Sequence, residues 1–173
     1  MLNELYKDLE DIRCASCKGC SILSSSASIK SHMDYTDLKQ CNILFITDSF
    51  KSRAGMPVCL SPDEEKVIKS ACKDRFVCSP AVKCSGVKES DMTPKNMNIC
   101  RAHLSQTIEA VKPKIVFACG NLPLKMLLKK SGIKDKRGNI YEYVSDNGYK
   151  CLVMATLHPY MAVVEPKDRK SVV

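Results

Sequence analysis

Two short, almost unbroken apolar runs most constrain what this chain can fold into: Asn42-Ile43-Leu44-Phe45-Ile46-Thr47 and Lys114-Ile115-Val116-Phe117-Ala118. Each has the length of a strand, and neither alternates apolar with polar residues. Such a strand is buried on both faces, which is the situation inside a parallel sheet covered by helices on each side. The intervening sequence supplies the helices. Ser61-Pro62-Asp63-Glu64 places a capping serine, a first-turn proline and a capping-box glutamate in order, and Val67, Ile68 and Cys72 continue the pattern. Thr93-Pro94 opens a second helix by the same logic, carrying Met97, Ile99, Cys100, Leu104, Ile108 and Val111.

Arg75-Phe76-Val77-Cys78 reads as a further strand, and Gly120-Asn121 turns into a helix that ends at Gly132. Two late strands are predicted over 140–144 and 151–155, joined through Asp146-Asn147-Gly148. At the start, Leu2, Leu5, Tyr6, Leu9 and Ile12 recur at helical spacing, and a Ser-rich loop follows over 21–31. The expectation is an α/β fold of three layers, α/β/α, around a central mainly parallel sheet. Its 173 residues suit one domain. The stop at Val173, just past a segment over 165–170 that suits a final helix, leaves open a truncated domain or part of a longer chain. Ligand sites in such folds lie beyond the carboxyl ends of strands, here after Ile46, after 76–78 and after Ala155.

The charge balance suits a polyanionic partner and an ordinary basic surface equally: 27 Lys plus Arg against 19 Asp plus Glu give a formal charge of +8. No apolar run reaches the ~18 residues of a membrane span, and the first residues lack the basic-then-apolar order of a secretory signal. Eleven cysteines, an odd number, do not suggest a framework of bridges. A reducing, cytoplasmic compartment is expected. Cys78, Cys119 and Cys151 sit in apolar runs and read as small buried residues.

Other cysteines do not read as core. Cys14-Ala15-Ser16-Cys17-Lys18-Gly19-Cys20 holds two overlapping C-x-x-C pairs, Cys84 follows the second strand, and Cys100 lies early in the Thr93-Pro94 helix. Two close and two distant thiolates suit one metal centre, either an iron–sulfur cluster or structural zinc, and spacing alone leaves unrelated free thiols as the alternative.

Lys83-Cys84-Ser85-Gly86-Val87, followed by Thr93-Pro94 and Cys100, resembles a segment of the family 4 uracil-DNA glycosylases. So do Lys112-Pro113-Lys114 with its strand and Gly120, the pair Arg137-Gly138, and the turn Thr156-Leu157-His158-Pro159. The order and spacing of these motifs carry the resemblance from residue 9 to about residue 169. It implies a uracil-DNA glycosylase-like fold, DNA as partner within a replication or repair setting, and hydrolysis of the N-glycosidic bond of a flipped-out uracil or related base. It also implies a [4Fe–4S] cluster on Cys17, Cys20, Cys84 and Cys100, with Cys14 the alternative to Cys20.

Base excision needs a donor to the departing base, a group to orient water, and a platform with an amide to read the base. The resemblance gives His158 the first task and Asp48 the second. For the third, Val58 stands where the family has an aromatic ring, which leaves Phe50 as the nearby candidate. Pro80 stands at or beside the family's asparagine, which leaves Ser79 one hydrogen bond to offer. Arg137 is the best candidate for a phosphate contact, with Lys51, Arg53, Lys129, Lys130, Lys134 and Lys136 nearby in the predicted loops. Loss of ring and amide leaves a second reading, a glycosylase-like DNA-binding or interaction domain with weak or no excision.

Overall fold

A computed structural model describes Cys20 and residues 41–53, 56–72 and 76–165. The predicted N-terminal helix, the Ser-rich loop, Cys14, Cys17, Gly55 and the segment beyond Glu165 lie outside the described residues. In chain order the elements are β1 (Ile43–Arg53), β2 (Met56–Val58), α1 (Pro62–Ala71), β3 (Phe76–Ser85), α2 (Pro94–Val111), β4 (Ile115–Cys119), α3 (Asn121–Leu128), α4 (Ile133–Lys136), β5 (Ile140–Val144), β6 (Lys150–Thr156) and α5 (Pro159–Val164).

Parallel pairing links β3 to β1, β1 to β4 and β4 to β6, and β5 closes one edge antiparallel to β6. β2 folds back antiparallel on the far end of β1. From β1 the chain crosses first to β3 on one side and later to β4 on the other. The carboxyl ends of β1 and β4 therefore flank the topological switch point, where open α/β sheets place their ligands.

Burial on both faces explains the unbroken apolar runs. Leu44, Ile46, Val116 and Ala118 pack with Leu104, Ile108, Val111, Leu122 and Met126 under α2 and α3. The alternate residues Phe45, Phe117 and Cys119 pack with Ile68 of α1. The register sets Phe45 opposite Phe117, and their rings stack at 4.7 Å. Helix starts fall where the caps predicted them: the Ser61 and Thr93 hydroxyls accept from the backbone N–H of Glu64 and Asn96.

Two strands run longer than their apolar cores predict. β1 continues past Asp48 into the hairpin with β2, and β3 continues through Lys83 and Cys84, so Cys84 lies within the strand. No helix among the described residues is long and apolar enough to cross a membrane.

Candidate active site

Three strand ends meet at the switch point. Asp48 follows Thr47 on β1, Gly120 follows β4, and Thr156 ends β6. The Gly120 N–H donates to the Thr156 carbonyl at 2.9 Å. Gly120 has φ +108°, a conformation that side chains resist, and a Cβ there would stand 3.4 Å from Asp48 Oδ1. The glycine thus lets β4 turn into α3 beside the carboxylate. Asp48 Oδ1 and Thr47 Oγ1 are buried and have no hydrogen-bond partner among the described residues. Buried oxygens of this kind are open to a water or ligand. Burial, reinforced by the nearby Glu89 charge and partly opposed by Lys51, raises the Asp48 pKa to about 6. Such a carboxylate is poised to accept a proton near neutrality.

His158 arrives on the turn after β6 and caps α5, with Pro159 in the first helical position. Its Nδ1 accepts from the Tyr160 N–H at 3.2 Å. That bond puts the ring proton on Nε2, so the neutral ring presents a donor. Burial and then the Lys51 charge push the His158 pKa down to about 4, against the opposing pull of Glu64. Nδ1 also lies 3.6 Å from Glu64 Oε1, but with the ring neutral this is a contact and not an ion pair.

Lys51 and Glu64 hold this corner together. Lys51 Nζ donates to Glu64 Oε1 at 2.5 Å, and the Glu64 side chain is fully buried while that of Lys51 is 42% exposed. The other Glu64 oxygen accepts the Ser61 N–H at 2.6 Å, completing the capping box. Burial alone would raise the Glu64 pKa. The hydrogen bonds from Lys51 and Ser61, with the Lys51 charge, lower it instead. One glutamate therefore fixes the start of α1, the Lys51 ammonium and the neighbourhood of His158. The sequence signal at Glu64 was only its capping-box spacing, which says nothing of the second oxygen. Lys51 was legible only as a loop cation.

The remaining candidates divide. Val58 lies directly across from Lys51 in the β1–β2 ladder and so borders this corner. Arg137 is exposed at the end of α4, and the Gly138 N–H donates to the Ala155 carbonyl at 2.8 Å, which sets the Arg-Gly pair beside the carboxyl end of β6. Phe50 is 2% exposed, so its ring belongs to the interior and offers no open face for stacking. Ser79 is buried opposite Ile46, and its hydroxyl is taken up by Lys83 Nζ. Pro80, opposite Thr47, stands closer to Asp48.

Cys20, Cys84 and Cys100 share one buried cluster with Val87 and Met92. Cys20 Sγ donates to Asn96 Oδ1 at 3.5 Å, one helical turn before Cys100. Buried thiols in an apolar setting are donor chemistry that iron or zinc takes. Among the described residues no three His, Cys, Asp or Glu side chains are arranged to hold a metal ion.

The family model of the Uracil DNA glycosylase superfamily matches residues 35–172. A Type-4 uracil-DNA glycosylase of Saccharolobus solfataricus is 32% identical over 103 residues, which cover 57% of this chain and 47% of that relative. The chain thus spans about half the length of the curated relative it matches. With strand ends, motif order and family match in agreement, the chain belongs to the uracil DNA glycosylase superfamily, as a divergent relative of its type-4 members.

Proposed function

We propose that this protein is a DNA glycosylase that hydrolyses the bond between deoxyribose and a flipped-out uracil or related base. As that bond opens, the sugar gains cationic character and the base departs as an anion. The neutral His158 donates through Nε2–H to the departing base oxygen. Asp48, ionised above about pH 6, faces the sugar cation and orients the attacking water, taking up its proton. Burial, helped by Lys51 that Glu64 pins, keeps His158 neutral and so keeps it a donor.

The observation that carries this reading is the pairing, at one switch point, of a carboxylate titrating near neutrality with a histidine held neutral. Arg137, Lys129, Lys130 and Lys134 are exposed on the segment from α3 to β5 and supply contacts for DNA phosphates. Cys17, Cys20, Cys84 and Cys100 hold a [4Fe–4S] cluster, with Cys14 the alternative to Cys20 and zinc the alternative metal. The cluster acts as a structural staple of the N-terminal segment. Iron and acid-labile sulfide in protein purified without oxygen test this, and zinc in their place overturns the iron assignment.

The test of activity is excision from single- and double-stranded uracil-containing oligonucleotides, scored as abasic-site cleavage, with Asp48→Asn and His158→Ala beside the native chain. Excision lost in both variants supports the reading. No excision by the native chain, with tight and salt-sensitive DNA binding, leaves the second reading: a DNA-binding domain serving replication or repair proteins. Buried Phe50, with Val58 and Pro80 in place of ring and amide, favours that alternative.

A further inference from the structure

A second group of thiols lies on the α1 face of the sheet, in a different cluster from Cys20, Cys84 and Cys100. Cys72, Cys78 and Cys119 pack about Phe45, Ile68 and Phe117. Cys59 joins them from the connection after β2, with its Sγ 3.6 Å from the Cys78 carbonyl oxygen. Both residues are half-buried, whereas Cys119 is fully enclosed.

The charge environment divides the pair into two roles. The neighbouring Cys78 side chain lowers the Cys59 pKa against the effect of burial, and the Lys83 ammonium lowers it further. The neighbouring Cys59 side chain and burial push Cys78 up. Cys59, on the connection after β2 and against Cys78 of β3, is placed to attack, with Cys78 beside it to resolve.

We propose that Cys59 and Cys78 are a thiol pair that a small disulfide, such as oxidised glutathione, converts to an intramolecular disulfide. The Cys59 thiolate attacks one glutathione sulfur, forming a mixed disulfide and releasing one glutathione thiolate. Cys78 then attacks the Cys59 sulfur and expels the second glutathione, which takes up the Cys78 proton. Both cysteines are oxidised and one disulfide is reduced to two thiols. The bridge ties the β2–α1 connection, two residues before the Ser61 cap, to β3.

The experiment holds the intact protein, without oxygen, in buffers of graded reduced-to-oxidised glutathione ratio. Free thiols are then alkylated and the peptides mapped by mass spectrometry. The expected result is a linked Cys59–Cys78 peptide lacking two hydrogens, while Cys119 and Cys151 stay alkylatable after unfolding. Cys78→Ser should accumulate a stable glutathione adduct on Cys59, and Cys59→Ser should show neither adduct nor bridge. A free Cys59 at the most oxidising ratio overturns the proposal, and so does a Cys78–Cys119 bridge. The native map decides the matter even where a variant folds poorly.

Discussion

The carboxyl ends of β1 and β6 and the carboxyl half of β3 belong to one edge of one sheet, yet they are built differently. At the first, Asp48 and His158 have pKa values of about 6 and about 4, and a buried glutamate holds a lysine whose charge acts on both. At the second, Pro80 and Ala81 are buried and carry no polar side chain, and the Ser79 hydroxyl is occupied by Lys83. On the proposed reading the first supplies the two groups for bond cleavage, while the second offers few polar groups to a base.

The largest effects should come from the bond-breaking side. Asp48→Asn and His158→Ala should each reduce excision by about 10²–10⁴-fold, read as single-turnover rates on a uracil oligonucleotide. In the native chain the rate should fall about tenfold per pH unit below about 6, as Asp48 becomes protonated, and stay level above. A level profile down to pH 5 would remove Asp48 from the mechanism. The recognition side can be strengthened instead. Pro80→Asn with Val58→Phe should raise excision by about thirtyfold or more, since stacking and a paired amide are each worth about 1 kcal/mol or more. An unchanged rate would mean that this half of the edge does not meet the base.

Stability sharpens the contrast, because the two acids near Lys51 act with opposite sign. The Asp48 pKa is raised from 3.8 to about 6 in the folded chain, so its ionised form destabilises the fold above that range. Asp48→Asn should therefore stabilise the protein by up to about 3 kcal/mol at pH 8 while abolishing excision, measured by denaturant unfolding. Glu64 is lowered below its usual 4.5, so its contribution is present above that value and is lost as pH falls through the folded pKa. Glu64→Gln should cost about 1–3 kcal/mol at pH 7, and the difference from the native chain should shrink in acid. Gly120→Ala should cost about 1–2 kcal/mol by forcing a side chain into positive φ beside Asp48, seen as a lowered melting temperature.

Much of the fold was legible before any coordinates. Ser61, Glu64 and Thr93 cap as their spacing predicts, and the apolar runs at 42–47 and 114–118 are strands buried on both faces. These features depend on backbone hydrogen bonds within a few residues and on side-chain periodicity, both of which a sequence states directly. The extension of β1 into a hairpin was not legible, because Lys51, Ser52 and Arg53 carry no apolar pattern and gain their strand from pairing with Val58, Pro57 and Met56.

The sequence by itself determined the layered α/β architecture, the order of the strands along the chain and, through Thr156-Leu157-His158-Pro159, the histidine on a strand-end turn. Only the tertiary structure decided that Phe50 is interior, that Glu64 serves Lys51 as well as Ser61, and that Asp48 is poised near neutrality beside Gly120. The reason is electrostatic and steric. A pKa or an open ring face depends on which distant segments close over a group, and β1, α1 and α5 come together through space, far apart in sequence.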